Sequence, residues 1–129
     1  MNWLAGARGG AGICQALVTL ASYAGDWTVL LDHTGRILYQ LGSCDVLFGG
    51  EEQTVSIGRR ITAFVHPDDM TLATDKMADS LTEVGSQIAF EIRAGLGEAS
   101  YRRVDVLAAN YFHDRFLNGV ILRVTGRAE

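Results

Sequence analysis

The sequence predicts an α+β domain with one five-stranded antiparallel sheet and short helices plus one longer helix on one face. Three observations support this prediction. A helix pattern precedes two strand-like segments, a long helix pattern lies mid-chain, and three strand-like segments follow with no helix between them. Consecutive strands without an intervening helix pair as an antiparallel meander. A sheet that buries one face against helices satisfies this order of elements.

The long helix pattern starts at the only proline, Pro67, and we expect it to continue to Val84. Proline suits the first helical turn because its φ is fixed near the helical value and it has no N–H. Asp68 and Asp69 follow, where carboxylates satisfy backbone N–H groups and the positive end of the helix dipole. Apolar residues then recur at helical spacing, and Gly85 supplies a stop.

A second helix pattern covers Ile13–Ala24, after a glycine-rich lead-in at Met1–Gly12 that we expect to be frayed. Its apolar stripe needs a surface to cover, either the domain's own sheet or a second copy of the chain. A signal peptide ending at residues 22–24 is the alternative. It is disfavoured because polar residues interrupt the apolar run and no basic cluster precedes it. We divide the chain into residues 1–25, a lead-in and flanking helix, and residues 26–129, the main domain.

Five segments have strand character. They are Trp27–Leu31, Ile37–Leu41, Gln87–Ala94, Ser100–Phe112 and Val120–Leu122. A D-H-T-G turn joins the first two as a hairpin. The fourth carries apolar residues on both faces, so its outer face needs a cover, and the first helix is the candidate. The fifth is apolar without alternation, as expected for a central strand.

Composition and cysteine usage exclude several classes of function. The chain has 129 residues and a net charge of −4 with acids and bases interspersed, a poor electrostatic match for nucleic acid. No apolar run is long enough to span a membrane. Cys14 and Cys44 form no metal or redox pattern, which favours buried thiols in a cytoplasmic protein.

No catalytic constellation is visible, so we expect no enzyme activity. His66, Asp68 and Asp69 could be read as an acid–base or metal cluster, and an enzyme using them is the hypothesis of a different class. Adjacent carboxylates in a first helical turn more often accept hydrogen bonds from backbone N–H groups and interact with the positive end of the helix dipole. We therefore interpret His66, Pro67 and Asp69 as a structural motif. The dispersed histidines lack metal-ligand spacing.

Short helices folded over a curved sheet leave either a filled core or a cavity for a small molecule. Sequence alone leaves both open. The candidate pocket residues are Phe48, Ile61, Phe64, Ile88, Phe90, Arg102 and Val106. Arg102 shares its strand parity with Val104, so it approaches the interior and meets either Glu91 on the neighbouring strand or an acidic ligand. The cross-strand pair is the favoured interpretation.

Five segments together resemble, in order and spacing, the motifs of the PAS domain family. Residues 29–39 resemble its strand–D-x-x-G-x-I–strand opening, and residues 58–69 its segment ending in [IV]-H-P-x-D. Residues 45–49 resemble its short helix ending in glycine, 101–106 its aromatic-rich penultimate strand, and 118–125 its closing strand.

The resemblance implies a PAS-like fold and a sensory, regulatory role without catalysis, in a longer bacterial, cytoplasmic signalling protein. The alternative is a small-metabolite-binding module with an apolar pocket between sheet and short helices. An effector domain, covalently linked or separate, would receive the signal. The first helix resembles the flanking helix that pairs two PAS domains, so we expect a homodimer. The candidate interface residues are Ile13, Leu17, Leu20 and Tyr23.

Departures from the family pattern bear on cofactor and output. No cysteine lies in residues 61–65, where the photoactive flavin subgroup carries its reactive thiol. No histidine lies between Asp68 and Val84, where the haem subgroup carries its ligand. Both cofactors are therefore disfavoured, and the identity of any ligand stays open. Leu41 stands where many members carry asparagine, and Arg123 replaces the aspartate of the closing motif, which puts the route of signal output in doubt.

Overall fold

The structure, a computed structural model, describes residues 7–42, 44–48, 56–96 and 101–126, with side chains omitted for residues 7–14, 45 and 46. Its helices and strands are α1 (Ala7–Ser22), β1 (Trp27–Leu31), β2 (Ile37–Gly42), α2 (Cys44–Phe48), two 3₁₀ segments (Ile61–Phe64 and Pro67–Asp69), α3 (Met70–Ser80), β3 (Gln87–Ala94), β4 (Arg102–Tyr111) and β5 (Gly119–Gly126). In the described part of the chain no helix combines the length and apolar character that a bilayer crossing requires.

The five strands form one sheet in the order β2-β1-β5-β4-β3, with every neighbouring pair antiparallel. The predicted α+β class, five-stranded antiparallel sheet and closing meander are confirmed. The last strand lies at the centre, and its first four residues are all buried. The apolar run Val120–Leu122 is central because both faces of the sheet are covered there.

Each face of the sheet supports its own apolar cluster. The inner cluster contains Trp27, Phe64 and Val104 and packs against α2, α3 and the 3₁₀ segments. The outer cluster brings Leu20 of α1 against Ile121 of β5. Of the two surfaces considered for the first helix, the described residues use the domain's own sheet.

Residues 56–66, which we call the strap, run across the inner face from one edge of the sheet to the other. At the β2 edge, the N–H of Gly58 donates to the carbonyl of Ile37 at 2.7 Å. At the β3 edge, the N–H of His66 donates to the carbonyl of Arg93 at 2.9 Å. Because both ends are held by backbone hydrogen bonds, the height of the strap above the sheet is set by the fold.

The first helix begins earlier than the sequence predicted. It starts at Ala7 rather than Ile13, so the expectation of a frayed lead-in is wrong for residues 7–12. Each glycine there costs about 1 kcal/mol of helix propensity relative to alanine. Helical hydrogen bonds nevertheless propagate outward from the packed turns at one bond per residue, which overrides that preference.

The long helix ends earlier than predicted, at Ser80 rather than Val84. The hydroxyl of Ser80 donates to the carbonyl of Met77 at 2.7 Å, and that of Thr82 donates to the carbonyl of Asp79 at 2.8 Å. The Met77 carbonyl also accepts the N–H of Leu81 at 3.2 Å, whereas the Thr82 hydroxyl satisfies the Asp79 carbonyl, which a longer helix would have bonded to the N–H of residue 83. Gly85, with φ of 82°, ends the following turn instead of the helix.

Candidate functional site

A cavity of about 350 Å³ lies between the inner face of the sheet, the strap and α3. Its walls come from the sheet, the strap, the β1–β2 turn and α3. Trp27, Val106 and Leu122 belong to the sheet, Phe64 to the strap and Met77 to α3. This volume is at the lower end of the range of about 300–1,000 Å³ that small-molecule sites occupy.

The deep part of the cavity is apolar and aromatic. Trp27 meets Phe64 edge to face, with ring centroids 5.2 Å apart. The indole N–H of Trp27 donates to Oε1 of Gln40 at 2.9 Å, and the hydroxyl of Ser56 donates to the same oxygen at 2.6 Å. The polar atom of this tryptophan is therefore satisfied by a residue outside the cavity wall, and its rings present hydrocarbon to the interior.

Exposed residues mark the mouth of the cavity, because they belong both to its lining and to the protein surface. They are His33, Thr34, Thr62, Thr74, Ala78 and Leu81. The β1–β2 turn, the strap and α3 each contribute to this rim. Four of these six side chains, the three threonines and His33, carry a hydrogen-bonding group, so a bound molecule meets polar partners at the mouth and hydrocarbon further in.

Asp32 stands beside this rim and is half-buried. Its Oδ1 accepts hydrogen bonds from the hydroxyl of Thr34 at 2.6 Å, the N–H of Thr34 at 2.8 Å and the N–H of Arg36 at 3.0 Å. The bond from the Thr34 hydroxyl, helped by the two N–H donors, lowers the pKa of this carboxyl. The side chain stays ionised, and it holds the turn as the D-H-T-G pattern predicted.

Four of the seven predicted pocket residues line the cavity: Ile61, Phe64, Phe90 and Val106. Phe48 lies in the core beside Trp27, with ring centroids 6.3 Å apart, and is not part of the wall. Ile88 and Arg102 are also absent from the lining. The alternating pattern of β3 and β4 had identified the right face of the sheet but not how far along it the cavity extends.

The predicted pairing of Arg102 with Glu91 is wrong. Glu91 pairs with Arg103 instead, at 3.1 Å, because the strand register puts both on the outer face of the sheet. Arg102 donates from Nη1 to the carbonyl of Leu47 at 2.9 Å. It therefore binds the C-terminal end of α2, where a cation meets unsatisfied carbonyl groups.

Sequence reasoning missed the contribution of α3 to the cavity. Ala73, Thr74 and Met77 line it from above, together with Leu81 just after the helix. The helical spacing of Ala73, Met77 and Leu81 was visible in the sequence and could have placed these residues over the pocket. Their distance from the sheet could not be read from that spacing.

The His66-Pro67-Asp68-Asp69 motif makes structural contacts that differ from those predicted. The cap comes from the His66 ring, whose Nδ1 accepts the N–H of Asp68 at 3.0 Å. Asp69 makes no cap bond to its own helix. Its carboxylate accepts the N–H of Arg93 at 2.7 Å and both Nε and Nη2 of the same guanidinium at 3.0 Å. The pairing with Arg93 lowers the pKa of Asp69, and the pair ties the start of α3 to β3.

The part of the chain that the structure describes holds no cluster of three metal-ligating side chains. Residues 1–6, 43, 49–55, 97–100 and 127–129 lie outside that part.

The four candidate dimer residues divide by exposure. Leu20 and Tyr23 are 2% and 8% exposed and pack on the protomer's own sheet. Leu17 is 46% exposed, and its neighbour Val18 is 62% exposed. The side chain of Ile13 lies outside the described residues. Dimerisation through this helix stays a prediction; among the described side chains of α1, Leu17 and Val18 are large, apolar and exposed.

No family model matches the chain, and no curated protein is detectably similar in sequence. Similarity appears at the level of structure. The PAS-B domain of the Cycle protein from Drosophila melanogaster, solved with bound ethylene glycol, superimposes with a TM-score of 0.62. The match covers 78% of this chain and 99% of that domain at 11% sequence identity. The chain therefore has the PAS fold.

Proposed function

We propose that this chain is a sensory, regulatory domain that binds a small apolar molecule in its cavity and has no catalysis of its own. The observation that carries the proposal is the cavity of about 350 Å³ with an apolar interior and a polar rim. Well-packed domains seldom keep voids larger than a water molecule. A void of this size costs stability unless a ligand fills it.

Three further points support binding rather than an unfilled core. Apolar cavities of about 150 Å³ already bind benzene in an engineered protein, so the volume here is ample. The PAS-B domain of similar fold was itself solved with bound ethylene glycol. The rim is exposed on three elements, so a molecule has a route into the interior.

The strap gives the ligand a way to influence the rest of the domain. It is bonded to both edge strands, and its Phe64 forms part of the cavity wall. A ligand that fills the cavity stabilises the closed arrangement of strap, helix and sheet by mass action. We propose that an effector domain, in the same chain or in a partner, reads this change.

The experiment is a thermal-shift and calorimetric titration of the purified protein with neutral apolar molecules of graded size, from benzene to decanol. We expect binding to raise the melting temperature. Met77→Trp should block the cavity and abolish the shift, because Met77 lines it. Leu72→Trp is the matched control, since Leu72 lies on the same helix, is exposed and does not line the cavity.

If neither variant nor wild type responds to any compound, the binding proposal is wrong. An equal response in wild type and Met77→Trp would place binding elsewhere. An absorption spectrum of freshly purified protein complements the titration, because a visible band would reveal a chromophore retained from expression.

Homodimerisation is a separate part of the proposal, supported by the exposed Leu17 and Val18 on α1. Exposed apolar side chains of this size on one helix favour contact with a partner surface. Light scattering should give the mass of a dimer for wild type and of a monomer for Leu17→Glu with Val18→Glu. A monomeric wild type, or a double variant that stays dimeric, would contradict it.

A further inference from the structure

Asp32 contributes the one side chain with a full charge at neutral pH among the described residues that line the cavity. The other polar side chains of the lining are threonines, His33 and the indole of Trp27, whose N–H is bonded to Gln40. The electrostatic character of the site in its described part therefore depends strongly on this one carboxylate.

The two oxygens of that carboxylate have unequal roles. All three hydrogen bonds from Thr34 and Arg36 arrive at Oδ1. Oδ2 accepts no hydrogen bond from any described residue, and Asp32 belongs to the cavity lining. An ionised carboxylate in such a place has acceptor capacity left for a ligand.

No described residue forms an ion pair with Asp32. The strap brings two cations near this part of the mouth, since Arg60 forms a β-bridge with Arg36 and the Arg59 guanidinium lies 4.8 Å from the ring centroid of Phe64. The guanidinium of Arg36 donates to the carbonyl of Gly58 at 2.8 Å and makes no ion pair with Asp32. In the part of the rim that α3 contributes, Asp75 and Asp79 are next in sequence to the rim residues Thr74 and Ala78. The whole chain has a net charge of −4.

We propose that the cavity selects an amphipathic amine, whose apolar body fills the interior and whose protonated nitrogen donates to Oδ2 of Asp32. This inference rests on the proposed binding function and adds the chemical class of the ligand. A charge-assisted hydrogen bond to a carboxylate is about twice as strong as one between neutral groups. A carboxylate head group is disfavoured there by repulsion and by its cost of leaving water.

The volume sets the size of the apolar body. At the packing density of protein interiors, a cavity of about 350 Å³ accommodates on the order of ten carbon atoms. Decylamine, decanol and decanoate therefore test the head group at constant chain length. We expect wild-type protein to bind decylamine about five- to tenfold more tightly than decanol, and decanoate more weakly than either.

Asp32→Asn is the decisive variant. Its amide oxygen takes the place of Oδ1 and accepts the same three hydrogen bonds, so the turn is retained. In place of Oδ2, which accepts hydrogen bonds, the variant has an NH₂ group, which donates them. Decylamine should lose its advantage over decanol, and decanoate should gain. Asp114→Asn is the matched control, because Asp114 also accepts two backbone N–H groups at Oδ1, in the β4–β5 loop and away from the cavity.

Isothermal titration of the intact chain with the three compounds separates the outcomes. Failure of all three to bind wild type would overturn both the binding function and this inference. Binding of decanol without any preference for decylamine, or a preference that survives Asp32→Asn, would overturn this inference alone. Should Asp32→Asn fail to fold, the wild-type ranking decides, together with its weakening at high salt.

Discussion

Replacing Ala73 by leucine tests whether the cavity is empty enough to hold a larger side chain. Ala73 is 7% exposed and lines the cavity from α3, so a longer side chain there enters the void. Leucine adds three carbons, and at about 0.8 kcal/mol for each buried methylene-sized group the gain is about 2.4 kcal/mol. The loss of side-chain conformational entropy offsets about 0.5–1 kcal/mol of this gain. We expect Ala73→Leu to stabilise the ligand-free domain by about 1.5 kcal/mol.

The measurement is urea denaturation of the ligand-free protein, followed by titration with decanol. Stability should rise while decanol affinity falls, because the same volume cannot hold both groups. Ala21→Leu provides the control, since Ala21 is an exposed helical residue and its replacement should change stability by less than about 0.5 kcal/mol. A loss of more than about 1 kcal/mol for Ala73→Leu would mean overpacking and would refute the cavity as described.

Three further predictions concern the fold around the site. The pairing with Arg93 lowers the pKa of Asp69 below its ordinary 3.8, so its stabilisation is present above that pH and is lost on further acidification. Asp69→Asn should lower the melting temperature at neutral pH and flatten the acid dependence, and superimposable acid titrations would contradict this. A Cβ on Gly119 would overlap the carbonyl oxygen of Leu31, so Gly119→Ala should cost about 2–3 kcal/mol in urea denaturation. A cost under about 0.5 kcal/mol would show that the backbones are not that close. Burial, with a hydrogen-bonded phenol beside it, raises the pKa of Tyr23 to about 12, so its stabilisation is complete below 10.0 and is lost as pH rises through about 12. Tyr23→Phe should weaken this alkaline dependence, and an unchanged alkaline unfolding curve would count against the buried phenol.

Local patterns predicted the sheet well because the alternation of apolar and polar residues along a strand indicates which face of the sheet each side chain lies on. Phe90 and Val106 were assigned to the face under the short helices, and both pack in the inner cluster. The unbroken apolar run at residues 120–122 predicted a central strand, which β5 is. These features depend on neighbours one or two positions away, so a single sequence determines them.

Helix ends were predicted less well because they depend on side-chain partners. The Thr82 hydroxyl bonds the Asp79 carbonyl, and α3 ends at Ser80 although the apolar spacing continues to Leu81. Asp69 was expected to accept hydrogen bonds from backbone N–H groups of its own helix. Its carboxylate instead accepts hydrogen bonds from the guanidinium of Arg93 on β3. A charged partner brought close by the fold outweighs a local backbone donor, and its position is invisible in the local sequence.

By itself, the sequence determined the order of strands and helices, the face on which most side chains lie, and the resemblance to PAS domains. The tertiary structure alone decided the separation between α3, the strap and the sheet, and hence whether Ile61, Phe64 and Val106 surround a cavity or fill a core. Periodicity states which way a residue faces, whereas a void depends on distances between segments far apart in the chain. Only the three-dimensional geometry likewise shows that Oδ2 of Asp32 accepts no hydrogen bond from the described residues. The sequence predicts the turn, but not which carboxylate oxygen accepts the N–H groups of the turn.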